Sequence, residues 1–237
     1  MNLTVARITA RGLFGRRRFL LLFPLPLLLL LLTVAAKASG TAVSDWAPSV
    51  LDGMGFSVML PVIALIVGTG VLGSEIDDGT VVHILAKPLP RRDIILAKLV
   101  VAVGITAVTA AVPMFIAGLV VDSTRFGLAL AAGCAIGSLG YSAVFLALSL
   151  LSRRPVLVGL LYVLIWESLL TNVLSGTRVL SIHQYALTVV HAIEPGGLLS
   201  AHVGLPAALV MSAVFLVGGT VLAIDRLRSF TVSGETG

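Results

Sequence analysis

Few residues of this chain could take part in chemistry, and eight of its 27 acidic and basic side chains lie close together in one stretch. The stretch 73–99, GSEIDDGTVVHILAKPLPRRDIILAKL, holds four acidic and four basic side chains between long uncharged runs. Its middle predicts a turn at Asp78-Gly79, a helix of about two turns over VVHILAK, and a stop at Pro88. One side of this short helix is apolar. That fits either a connector packed on its own bundle or a docking helix for a partner protein.

A second candidate is Glu167, which lies in LIWESLL within an otherwise uncharged run. A carboxylate at membrane depth costs at least a few kcal/mol unless it is paired, neutralised or hydrated, so it is expected to face the interior or a cavity. Two interpretations remain open. Glu167 is either a translocation-path or proton-linked residue, or a hydrogen-bonded structural residue with Thr171 and Asn172 as its nearest polar candidates.

Other reactive patterns are weak. His183 and His191 lie about two turns apart without a Cys or carboxylate cluster, so interfacial histidines are expected instead of a metal site. Ser138, in GSLG, has neither a His nor an Asp within the predicted spans to activate it, which argues against an intramembrane hydrolase. Every lysine follows an alanine, so none belongs to a G-x-x-x-x-G-K-[ST] nucleotide loop. We expect no cofactor in this chain.

The composition fixes the class of protein that must position these residues. The chain of 237 residues is 58% hydrophobic and 11% charged, with a mean hydropathy of +1.10. Soluble domains carry about 25% charged residues, so this is an integral membrane protein. The net charge of +5 comes from residues scattered at the ends of apolar runs, which suits membrane orientation and not nucleic-acid binding.

The apolar runs predict an all-α membrane protein with six transmembrane helices in a single transmembrane domain, 1–237. Each run is long enough for a membrane-spanning helix and too long for a barrel strand. An interfacial helix is expected before the first span, over residues 3–18, and an extracytoplasmic amphipathic segment between spans five and six, at the outer surface or dipping back into the membrane. The predicted spans are roughly 19–36, 53–74, 96–121, 127–151, 155–176 and 204–224.

Lys and Arg placement predicts the orientation, because cytoplasmic loops carry the excess of positive charge. Thirteen of the 16 basic residues fall on the side of the two termini and three on the other. Both termini and the charged stretch are therefore expected in the cytoplasm. A cleavable signal peptide ending near Ala36-Lys37-Ala38 is the rival interpretation, and an uncleaved first span is favoured because the apolar run reaches spanning length. The residue usage suggests a bacterial cytoplasmic membrane.

The charged stretch resembles the signature loop of ABC-2 type transporter permeases, the membrane subunits of one class of ABC exporters. That family commonly reads E-x-E-x-G-T, a hydrophobic segment with L-L-x-K-P, then S-R and a span that opens with a Lys. Pro90 stands where the family usually has Ser. The matching residues are Glu75, Gly79, Thr80, Leu85, Lys87, Pro88, Arg91 and Lys98.

The resemblance implies a coupling helix that rests in a groove of a separate ATPase subunit. It implies two ATPase copies carrying ATP and Mg, a second copy of this permease or a homologous one, and alternating access without bond chemistry in this chain. The alternative is a proton-coupled secondary transporter that uses Glu167. The expected coupling residues are Glu75, Asp77, Asp78, Gly79, Thr80, Leu85, Lys87, Pro88, Arg91 and Arg92.

Overall fold

The protein forms a helical bundle. The computed structural model describes residue 9 and residues 17–77, 90–170, 175–196 and 198–229. The predicted interfacial helix over 3–18 lies almost wholly outside the described residues. The helices that the structure describes are α1 (Pro24–Ala38), α2 (Val43–Ala47), α3 (Leu60–Asp77), α4 (Arg91–Val121), α5 (Thr124–Leu151), α6 (Pro155–Leu161), α7 (Ile182–Ile193) and α8 (Leu205–Ser229).

Shorter helical segments connect several of these. A 3₁₀ segment, Arg17–Leu22, precedes α1, and Pro24 and Pro26 occupy the first turn of α1, where a missing N–H costs nothing. A π-helical segment, Pro48–Met59, joins α2 to α3 and ends directly before Leu60-Pro61. A second π-helical segment, Tyr162–Leu170, continues α6, and a 3₁₀ segment, Ser175–Leu180, precedes α7.

Within the part of the chain that the structure describes, five helical stretches are long and apolar enough to cross a membrane. The second of them begins at Val43, ten residues before the predicted second span, 53–74, and includes Asp45 and Asp52. The predicted fifth span, 155–176, does not appear as one long helix in the described residues, since the apolar helical segment counted there is Pro155–Glu167. The five stretches are Leu20–Ala38, Val43–Leu72, Arg91–Val121, Thr124–Leu151 and Leu205–Leu227.

The bundle has two ends that the side-chain contacts define. At the basic end, where α4 begins and α3 and α8 finish, Arg91 donates to the Leu227 carbonyl. At the distal end, Lys37 Nζ donates to the Val121 carbonyl and joins the finish of α1 to that of α4. α1 and α4 therefore run in the same direction, and α3 and α8 run against them.

α5 is the central helix of the bundle and packs against α3, α4, α7 and α8. The most apolar windows of the second and fourth spanning stretches are 78% and 67% buried, whereas those of the first and last are 17% buried. Large apolar side chains such as Leu27, Leu31, Val210 and Val217 lie exposed on α1 and α8. A perimeter of this kind suits hydrocarbon, because lipid tails satisfy apolar side chains as well as a protein core does.

Candidate functional site

Glu167 lies in the second π-helical segment, between α6 and α7 along the chain. Its carboxylate is 6% exposed. Oε2 accepts a hydrogen bond from the Ser181 hydroxyl at 2.5 Å, and Oε1 accepts from the Ile182 backbone N–H at 3.0 Å and from the Tyr162 hydroxyl at 3.3 Å. The carboxylate thus binds the first N–H groups of α7, where the helix macrodipole favours negative charge.

The partners of Glu167 that the structure identifies include Ser181 and Ile182, which are 14 and 15 residues away along the chain. Thr171 and Asn172, the partners proposed from proximity, lie outside the described residues, so that proposal stays a prediction. Because the carboxylate has three donors from its own chain, the structural interpretation of Glu167 accounts for its burial without a substrate or a transported proton.

Tyr141 on the central helix adds an unsatisfied group beside this carboxylate. Its side chain is fully buried, and its hydroxyl finds no hydrogen-bond partner of ordinary geometry in the described part of the chain. The Glu167 carboxylate lies close enough to act on this hydroxyl electrostatically.

A second polar contact joins α7 to the first π-helical segment. His183 Nε2 lies 2.5 Å from Asp52 Oδ1 and 3.2 Å from Ser57 Oγ. The His183 side chain is 11% exposed and that of Asp52 36%. Asp52 is therefore an acidic residue inside a spanning stretch, which the charge-free runs of the sequence did not reveal.

This trio does not form a hydrolytic relay. Activation of a serine needs the carboxylate on Nδ1 and the hydroxyl on Nε2, so that the ring passes a proton between two positions. Here both oxygens contact the same nitrogen, Nε2. The contact is a tie between two helices, and it leaves the argument against an intramembrane hydrolase in place.

The contact between Asp52 and His183 can be tested by mutation. We expect Asp52→Ala and His183→Ala to be non-additive, with a coupling free energy of about 1 kcal/mol, because an interhelical hydrogen bond in a membrane protein contributes about that much. A double-mutant cycle on unfolding free energy in mixed micelles measures it. Additive losses would show that the two side chains do not stabilise the fold through each other.

α7 lies inside the bundle along the central helix. Ile182 lies against Gly140, Ala186 against Gly137 and Val190 against Gly133, so the small-residue face of α5 receives one face of α7. The small residues of α5 thus serve close packing within the chain. Gly140 lies 16 residues after Thr124, so α7 begins about 24 Å along α5 from the distal end at 1.5 Å per residue.

The other end of α7 is held at the distal end of the bundle. Arg125 donates through Nε and Nη2 to the Ile193 carbonyl at 3.1 and 2.8 Å, and it pairs with Glu194 at 3.1 Å. α7 therefore begins inside the bundle and ends at its distal end. Of the two predicted placements of the amphipathic segment, this arrangement fits the one that dips back into the membrane better than the one at the outer surface. His191, the other histidine of this helix, is exposed.

The structure describes only part of the predicted coupling set. Glu75 and Asp77 lie in the last turn of α3, and Arg91 and Arg92 lie in the first turn of α4. Arg91 Nη1 donates to the Leu227 carbonyl at 3.3 Å, and Arg92 is exposed. The remaining members lie outside the described residues: Asp78, Gly79, Thr80, Leu85, Lys87 and Pro88.

The fold and these contacts define a helical, multi-pass membrane protein with charged helix ends. A family model described as ABC-2 family transporter protein matches residues 16–182, which is more than half of the chain. The chain therefore belongs to the ABC-2 transporter permease family, as its charged stretch indicated, and is a membrane transport subunit of a family that is generally non-catalytic and associates with an ABC ATPase. No curated protein matches the sequence.

Proposed function

We propose that this chain is the transmembrane permease of an ATP-driven exporter. Two copies, or one copy and a homologous permease, form the path, and two copies of a separate ABC ATPase bind and hydrolyse ATP with Mg. The observation that carries the proposal is the family match over residues 16–182, which includes the whole charged stretch and the helices on either side of it. The substrate leaves by alternating access, and this chain breaks no bonds.

The proposed topology is a single transmembrane domain, 1–237, that crosses the membrane six times. In it the fifth crossing is the predicted span 155–176, which begins with α6, and α7 belongs to the extracytoplasmic segment that follows and dips back among the helices. The basic end faces the cytoplasm, together with both termini and the coupling residues 75–92, in a bacterial cytoplasmic membrane. The excess of Arg and Lys on that side supports this orientation.

The alternative is a proton-coupled secondary transporter that uses Glu167. Proton carriage requires a carboxylate that exchanges between an aqueous path and a neutral state. The three donors on Glu167 favour a fixed role, since protonation would remove an acceptor from the start of α7. The exporter is therefore the better supported function.

The test combines topology and assembly. His83→Cys in a Cys134→Ala background is expected to react with a membrane-impermeant maleimide only when the reagent reaches the cytoplasmic face. The proposed partner ABC ATPase is expected to co-purify with the tagged chain when the two are co-expressed. Leu85→Asp, which charges the apolar side of the predicted loop helix, is expected to abolish that capture.

Two results would overturn the proposal. One is labelling of His83→Cys from the outside of intact cells. The other is transport by the reconstituted chain alone, driven by a proton gradient and lost in Glu167→Gln, which would favour the secondary transporter. Val210→Asn, a substitution on the exposed face of α8, serves as the control for capture of the ATPase.

A further inference from the structure

Two cations from the first turns of α4 bind the ends of two other helices. Lys98 Nζ donates to the Val71 carbonyl at 2.6 Å, and Arg91 Nη1 donates to the Leu227 carbonyl at 3.3 Å. Val71 lies in the last two turns of α3, and Leu227 lies in the last turn of α8. Three helices are thus fastened to one another at the basic end of the bundle.

The helix directions explain why cations occupy these positions. α4 begins at the basic end, whereas α3 and α8 finish there, so the first turns of α4 lie beside the final turns of both helices. The Leu227 carbonyl is among the last four of α8, which lack intrahelical donors, and the macrodipole concentrates negative potential around them. The Val71 carbonyl lies six residues before the end of α3, so it accepts from Lys98 through a second lone pair.

Lys98 is the stronger of the two ties. Its side chain is 1% exposed, so its ammonium group has been withdrawn from water. A buried charge is expensive to leave without partners, and hydrogen bonds in a low-dielectric environment are strong. Pulling α3 and α4 apart at this point therefore costs far more than separating an exposed ion pair.

The position of Lys98 gives the tie a mechanical consequence. The stretch 78–89 connects the end of α3 to the start of α4, and Lys98 joins these same two helices just inside the bundle. α3 continues through the first π-helical segment to Asp52, which binds His183 on α7. A continuous set of contacts thus runs from the base of the charged stretch to the helix that enters from the distal end.

We propose that Lys98 is a positioning residue for coupling. It fastens the two helices that flank the charged stretch, so that a displacement of that stretch moves α3 and α4 as one body. Without the tie, α3 and α4 move independently at this end of the bundle and the displacement does not reach the Asp52 contact with His183. This inference rests on the proposed function and assigns the transmission step to a residue outside the set that meets the ATPase.

Lys37 provides a matched control. Its Nζ donates to the Val121 carbonyl, at the C-terminal end of α4, at 3.2 Å. The donor atom and the kind of acceptor are the same as for Lys98, but the bond lies at the distal end and does not involve α3. Lys37→Met and Lys98→Met remove the same bond type from opposite ends of the bundle.

The experiment measures motion at the distal half in the complex with the co-expressed ATPase. A reporter thiol is placed by Gly53→Cys in a Cys134→Ala background, because Gly53 is exposed beside Asp52 and a Cβ there has nothing within 4 Å. We expect ATP with vanadate to change its maleimide labelling rate several-fold in the parent complex. Lys98→Met is expected to remove most of that change, whereas Lys98→Arg retains it and Lys37→Met behaves as the parent.

Co-purification separates coupling from folding. The amount of ATPase captured by Lys98→Met is expected to equal that captured by the parent, because Lys98 is buried and does not reach the partner. If Lys98→Met does not assemble, Lys98→Gln takes its place, since its side chain is polar but uncharged and ends one bond short of the position of Nζ. A parental nucleotide response in either assembled variant overturns the inference. A parent complex that captures no ATPase, or shows no response to nucleotide, instead overturns the proposed function.

Discussion

Glu167→Leu is expected to lower the unfolding free energy by about 3 kcal/mol. The substitution leaves the Ser181 hydroxyl, the Ile182 N–H and the Tyr162 hydroxyl without their acceptor in a buried site. Each lost bond costs about 1 kcal/mol in a membrane protein. Thermal unfolding in detergent, followed by the fraction of monodisperse protein, measures the loss.

Glu167→Gln separates the structural role from proton carriage. The amide oxygen can still accept from the Ile182 N–H, so we expect a smaller loss of stability than with leucine. A proton-carrying carboxylate would give the reverse pattern, with full stability and no activity. Val163→Ile is the control on the same segment, since Val163 is buried and an apolar swap costs less than about 1.5 kcal/mol. An unchanged melting temperature for Glu167→Leu would show that the carboxylate does not hold α7 in place.

Gly133→Leu is expected to cost about 3 kcal/mol by displacing α7 from the central helix. A Cβ at Gly133 would lie 2.7 Å from Val190 Cγ2 and 2.8 Å from the Ala186 carbonyl oxygen, which is backbone and cannot rotate away. Overpacking of a close contact typically costs 1–3 kcal/mol, and leucine adds three more carbon atoms beyond the Cβ. Gly133→Ala is expected to give the same displacement on a smaller scale.

The single cysteine reports this displacement directly. Cys134 follows Gly133 and is fully buried, so maleimide labelling of the folded parent is expected to be slow. Labelling accelerates in Gly133→Leu if α7 moves away from α5. Gly104→Leu is the control, because a Cβ at Gly104 meets nothing within 4 Å and the residue lines an apolar groove of 780 Å³ between α1 and α4. Equal stability of the two leucine variants would contradict the close packing of α7.

The sequence alone determined the membrane class and the family. The membrane class follows from local properties, because transfer of an apolar run into hydrocarbon depends on its length and composition. The same reading treated Asp52 only as the end of a charge-free run and did not reveal that His183 contacts this carboxylate.

The tertiary structure decided which polar groups meet. Asp52 and His183 are 131 residues apart along the chain, and Glu167 and Ser181 are 14 residues apart. Neither separation leaves a periodic signal, since periodicity reports only which face of one helix is apolar. Lys98 is a further example. The sequence indicated only that it lies at the start of a span, whereas the structure shows that it donates a hydrogen bond to α3. Hydrophobic patterning thus indicated which segments are apolar enough to cross the membrane. Helix packing decided which groups the few buried charged residues contact.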